Sequence, residues 1–155
     1  MAVVIRNRLR RYSLHHSRCR GLILRMLRRA GAAYAELSIT FIGDQHMRRL
    51  NRRYRGIDRP TDVLAFPMCA IPGPASALLG DVVISLHTAA RQARTAGHSV
   101  DQEVVVLLIH GVLHLLGYDH ERSRREASRM ERKERHLLHA LGHPPKLFRS
   151  AQRRA

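Results

Sequence analysis

Residues 104–109 read VVVLLI, an apolar run with no polar position. On a helix such a run leaves no face for water, so it predicts a helix buried on all sides. Ser99, with Gln102 three positions later, is a capping-box pattern that sets the start of that helix. Elsewhere the pattern is two-sided. Residues 3–5 open as a short strand. Residues 17–30 place Leu22, Ile23, Met26, Leu27 and Ala30 on one face, with Arg18, Arg25, Arg28 and Arg29 among the rest. That is an amphipathic helix, closed by Gly31. Residues 36–42 alternate and are rich in β-formers, which predicts a strand. Asp44 suits the N-cap of a helix with Met47, Leu50 and Tyr54 on one side and Arg48, Arg49, Arg52, Arg53 and Arg55 on the others. Residues 56–60 form a turn. Residues 63–66 read as a strand ended by Pro67, and residues 68–79, with Pro72, Gly73 and Pro74, as a loop of no evident chemistry. A strand over 81–85 and a helix over 87–96, ended by Gly97, follow. Ser123 with Glu126 is a second capping box. It opens a helix carrying Met130, Leu137, Leu138 and Leu141, which Gly142 closes. From Pro144 the chain reads as a loose basic tail. The fold class expected is α+β (mixed): a small mixed sheet of about four strands packed against about five helices, one domain over residues 1–155. No internal repeat or interdomain linker interrupts it.

Composition changes this picture in one respect. A chain of 155 residues with 45% apolar content supports a globular core. The net charge, however, is +16, with a pI near 11.6. Of 28 basic residues only Lys133 and Lys146 are lysines, so 28 − 2 = 26 are arginines. A GC-rich genome accounts for the choice of arginine but not for the excess of base over acid. A field of this size favours polyanions, above all nucleic acid, and an anionic membrane surface less. With aromatics at 5%, phosphates rather than stacked bases are the expected contact. The arginine- and serine-rich start has the composition of a mitochondrial presequence, but it also supplies a first strand and helix. Arg25 interrupts any secretory signal core, and no apolar run reaches the roughly 18 residues of a membrane span. Cys19 and Cys69 fit no metal or redox spacing, as in a protein of a reducing compartment.

The buried helix carries the candidate chemistry. Residues 110–120 read HGVLHLLGYDH. His110 and His114, four apart, share one helix face. A continuing helix would carry His120 roughly 9 Å further along the axis, beyond reach of a common ion whose bonds to nitrogen are about 2 Å. The helix must therefore stop, and Gly117 is the residue suited to a left-handed turn there. Two ligands, a stop and a third ligand make an open three-histidine zinc site with a fourth position for water. The spacing is also that of metzincin peptidases, whose second motif residue is a glutamate base. Here it is Gly111, which moves no proton, so a divergent metallopeptidase is disfavoured.

The same stretch resembles the signature of the YbeY family of rRNA-maturation endoribonucleases. Two more stretches are similar in the same order: LNRRYRG over 50–56 with PTDVLAFP over 60–67, and LGDVVIS over 79–85. The resemblance covers about residues 35–142. Ala65 stands where the family commonly has serine. The resemblance implies a zinc-dependent endoribonuclease, cytoplasmic and specific for single-stranded RNA. It would act in 3′-end maturation of 16S rRNA and in ribosome quality control, with the small ribosomal subunit as partner. It implies one Zn2+ on His110, His114 and His120, and a functional arginine at Arg55. The residues agree in outline. Zinc on neutral imidazoles lowers the pKa of water to about 7 or polarises a phosphoryl oxygen. A guanidinium fork suits the charge gathered in phosphodiester cleavage.

Asp81, Asp119 and His87 are each arguable for proton transfer, with Asp119 better suited to orienting a ligand or shaping the turn. His98, His136, His139 and His143 read as surface or packing residues. The competing reading from another class is an RNA-binding ribosome assembly factor with a structural, closed zinc site.

Overall fold

The computed structural model describes residues 3–68 and 78–150. In chain order the elements are β1 (Val3–Asn7), β2 (Tyr12–Leu14), α1 (His16–Arg29), β3 (Glu36–Ile42), α2 (Asp44–Arg55), β4 (Val63–Pro67), β5 (Leu78–Ser85), α3 (Leu86–Ala96), α4 (Val100–Leu115), α5 (Arg124–Leu141) and β6 (Phe148–Ser150). One four-stranded sheet runs in the order β1-β3-β5-β4. β1, β3 and β5 are parallel, and β4 lies antiparallel to β5 at the edge. The class is α+β, with a mixed sheet and five helices, as the periodicities predict.

Side-chain alternation divides the sheet into two faces. Leu37, Ile39, Phe41, Val82 and Ile84 enter the main core, together with α1 and α4. Ile42, Leu64 and Val83 meet Met47 of α2 in a smaller cluster on the other face. α4 is central, packing against β4, β5, α3 and α5. Val104, Leu108, Ile109, Val112 and Leu113 on it are all buried. Truncating one such side chain costs about 2–5 kcal/mol, so α4 shifts only when much of the fold goes with it. Its start is the expected reciprocal cap: Ser99 Oγ accepts from the Gln102 N–H at 3.1 Å, and Gln102 Oε1 accepts from the Ser99 N–H at 3.2 Å. At α5 the Ser123 hydroxyl accepts from the Glu126 N–H, while the glutamate side chain faces Arg129.

Three expectations need correcting. Asp44 is the first residue of α2 rather than its cap, which is Gly43 with no side-chain bond. Its carboxylate instead ties α2 to α3, accepting from Ser85 Oγ at 2.8 Å, Thr88 Oγ1 at 2.7 Å and Arg91 at 2.7 Å. The residues after Pro144 are not loose as far as Ser150. Leu147 and Phe148 are buried, and β6 pairs antiparallel with β2. The Phe148 ring meets Phe41 edge-on at 5.0 Å. The Leu147 N–H donates to Asp101 in the first turn of α4 at 2.8 Å. Residues 151–155 of that tail lie outside the described residues. β2 itself, three residues long, has too little period to read. Of the loop expected at 68–79, residues 78 and 79 already belong to β5 and 69–77 lie outside the described residues. Cys19 is buried, which pushes its thiol pKa up to about 12 and makes it inert. Among the described residues no helix is long and apolar enough to cross a membrane.

The Asp44 network has a pH signature. Partial burial works to raise its pKa, but hydrogen bonds from Arg91, Thr88 and Ser85 outweigh this and hold it below 3.8. A depressed folded-state pKa contributes stability above the unfolded value, lost as pH falls through the folded one. Asp44→Asn is therefore expected to cost about 1–2 kcal/mol at neutral pH. Denaturant titrations of parent and variant should converge as the pH drops below 3.8. A difference that persists unchanged into acid would mean that the charge is not what matters.

Candidate active site

α4 ends where the spacing requires. The N–H of Gly117 bonds to the carbonyl of His114 and that of Tyr118 to the carbonyl of Leu113. With Gly117 at φ 98° this is a Schellman turn, the left-handed stop that glycine permits. The chain returns and brings His120 back. One nitrogen each from His110, His114 and His120 lies within 4.8 Å of the others. His110 Nε2 and His114 Nε2 are 3.0 Å apart. Two nitrogens on a tetrahedral zinc stand about 3.3 Å apart, from bonds of about 2.0–2.1 Å. The donor set and its spacing are thus compatible with a metal ion. Burial, with His110 and His120 adjacent, holds the His114 pKa below 6.5 and favours the neutral imidazole that a metal requires.

The structure adds a residue that motif reading misses. Glu134 of α5 accepts from Nδ1–H of His110 at 2.9 Å. That bond leaves the Nε2 lone pair pointing at the shared site and fixes the ring against rotation. A signal for it exists in the sequence. Glu134 follows Met130 by four positions and precedes Leu137 by three, so it is a carboxylate on the apolar stripe of α5.

The histidines open on a cleft of about 450 Å³ whose lining includes Arg55, Thr61, Asp62, Asp119 and Glu121. Edge strand β4 supplies one wall, including Ala65, so no hydroxyl is presented at that position. Arg55, the last residue of α2, lines this cleft, and residues 56–62 lead from it to β4. Asn51, buried, anchors that loop by donating to the Arg59 carbonyl at 2.8 Å. Asp62 is held in place, accepting from the Val63 N–H at 2.7 Å and Gln92 Nε2 at 3.2 Å. Asp119 accepts from the Glu121 N–H at 2.9 Å and so shapes the turn between Gly117 and His120.

The other proton-transfer candidates lie elsewhere. Asp81 lines a different depression with Glu36, Ser38 and Val4. The His87 ring packs on Gly43, and its Nδ1 accepts from the Asp44 N–H at 3.1 Å. His98 pairs with the buried Glu103 at 2.6 Å. Gly111, where metzincins carry glutamate, faces the sheet. A Cβ there would lie 2.8 Å from Val82 Cγ1, so helix and strand approach too closely for any larger residue.

Fold and site define an α+β protein with a three-histidine centre fit for a metal, at the end of a core helix and beside strand β4. The family model described as Endoribonuclease YbeY matches residues 5–142, and the chain belongs to the YbeY family. It is similar to proteins named Endoribonuclease YbeY from Anaeromyxobacter sp. (strain Fw109-5), 50% identical over 139 residues (85% of this chain, 71% of that protein), and from Geobacter metallireducens, 46% identical over 144 residues (91% and 96%). The solution structure of TM1509 from Thermotoga maritima matches with a TM-score of 0.65 at 22% identity, over 90% of this chain and 89% of that one, a likeness of fold.

The Glu134 bond predicts a metal phenotype. Glu134→Ala should lower zinc affinity about 10–100-fold, measured by competition with a colorimetric chelator. Glu134→Gln, whose amide oxygen still accepts from Nδ1–H, should recover part of it. Unchanged affinity in the alanine variant would reduce Glu134 to a packing residue.

Proposed function

We propose that this chain is a zinc-dependent endoribonuclease that hydrolyses phosphodiester bonds of single-stranded RNA in the cytoplasm. Its substrate would be the 3′ end of 16S rRNA on the small ribosomal subunit, with a role in ribosome quality control. The observation that carries the reading is that an arginine and the three histidines line one cleft in a member of this family. His110, His114 and His120 would hold Zn2+, which when bound supplies a Lewis acid and lowers the pKa of water. The remaining chemistry belongs to the chain's own groups. Arg55 presents a permanently charged fork to the anionic phosphorus centre, where negative charge accumulates as the bond breaks. Glu134 keeps the His110 ring aimed. Asp119 keeps the turn that presents His120.

The surface beyond the cleft suits the same substrate. Arg48, Arg49 and Arg52 line a second depression of about 480 Å³ along α2. Arg48 is engaged by Asp58 through two bonds of 2.8 and 3.1 Å, both groups remaining exposed. The basic face extends past the start of α2. Partial burial, then Arg49 and Arg8, keep the His46 pKa below 6.5. A field of this sign draws in a polyanion and weakens as salt rises.

Two measurements test the reading. Elemental analysis of His114→Ala should give zinc well below one per chain, against one in the parent; full retention would mean that the ligand set is wrong. Arg55 is expected to act on turnover. Removing a donor that meets developing charge costs roughly 100- to 1,000-fold in kcat, so Arg55→Glu should lose at least that much on single-stranded RNA. Arg55→Lys, with charge but no fork, should recover only part. A closed coordination shell in X-ray absorption, with RNA binding indifferent to Arg55, would favour the assembly-factor reading.

A further inference from the structure

We propose that Tyr54 is a stacking station for a nucleobase of single-stranded RNA, on the opposite side of strand β4 from the histidines. The proposal rests on RNA being the polymer that the cleft takes. Tyr54 precedes Arg55, which lines the cleft, and its residue is 56% exposed, among the most exposed of the large apolar side chains described. A tyrosine left this open, in a chain with 5% aromatics, is not there to fill a core. Its ring meets Phe66 of β4 edge-on, centroids 5.0 Å apart at 62°. The Arg53 guanidinium lies 5.5 Å from the ring centroid, within the cation–π range. No hydrogen bond to a described residue ties the hydroxyl.

Strand alternation places this pair relative to the site. Val63 and Ala65 pack toward the main core on the α4 side, while Leu64 and Phe66 turn to the α2 side. β4 is the edge of the sheet among the described residues, none of which pairs with its outer side as a strand. A layer packed on one face of a sheet stands about 10 Å from the sheet, which sets the scale of passing around the edge from one face to the other. A polynucleotide with a phosphate at Arg55 therefore needs only to pass around this edge to bring a nearby base over Tyr54. The ring is already oriented by Phe66, so little rotamer entropy is lost when a base arrives. The exposed Arg53 side chain can swing outward and close over the base, needing two contact layers of about 3.5 Å each. Stacking on an aromatic ring with an arginine alongside is indifferent to base identity, as suits a strand held mainly by its phosphates.

The plainer account makes Tyr54 a lid on Phe66. Any apolar side chain would serve that purpose, and the difference can be measured. Binding of a labelled, 2′-O-methylated single-stranded RNA to the full chain is followed by anisotropy, with inorganic polyphosphate as a base-free probe of the same field. Tyr54→Ala and Tyr54→Leu should each weaken RNA binding about five- to 150-fold and leave polyphosphate binding unchanged; Tyr54→Phe should stay within about twofold of the parent on both. Leucine performing as well as phenylalanine would leave only the lid. Equal losses on RNA and polyphosphate would mean a disturbed fold or field, and also overturn the proposal. A parent that binds polyphosphate and not RNA would remove the RNA reading itself, a result distinct from either variant pattern.

Discussion

The structure depends on one constraint: α4 is apolar on every side and must be surrounded. Sheet, α3 and α5 enclose it along its middle, and it opens toward solvent at its two ends. Polar side chains on such a helix belong at its ends: Asp101 and Gln102 at the first turn, His110 and His114 near the last. The approach of Gly111 to Val82 sets how close helix and strand can come. It also brings edge strand β4 near enough to wall the cleft. The same tightness keeps a peptidase base out of position 111, so one packing contact limits which side chains can stand beside the histidines.

The scarcity of acids gives each of them structural weight. Among 12 acidic residues, Asp44, Asp62, Asp101, Glu103, Asp119 and Glu134 are each engaged in holding a specific element or side chain. Few are left to neutralise the arginines: on α2, Asp58 pairs with Arg48, and no ion pair to a described residue engages Arg49, Arg52, Arg53 or Arg55. Charge that looks like mere excess in the composition is in the fold a division of labour. Carboxylates tie elements together, and guanidinium groups face outward.

What could be read from the sequence were features set within one element. The histidine spacing and the glycine stop follow from helix geometry alone, and the alternation in residues 36–42 fixes a strand by itself. What escaped reading were contacts between distant positions. The partners of Asp44 lie 41 to 47 residues further on, and no local pattern distinguishes a cap from a cross-tie. Leu147 and Phe148 are two apolar residues between Lys146 and Arg149, too short a signal to show that they enter the core. Glu134 lies 24 residues from His110, and its register shows only once α5 is laid beside α4.

The pairing of β6 with β2 bears on how the protein is made. Leu147 bonds to the first turn of α4, and Phe148 closes the core against Phe41 and Tyr12. A chain emerging from the ribosome in one direction exposes its histidines before the residues that finish their platform. Until then α4 is an apolar helix with an open flank, the kind of transient surface that aggregates or recruits a chaperone. The order of synthesis thus leaves the core beside the first turn of α4, at the opposite end of that helix from the histidines, unfinished until nearly the last described residue is in place.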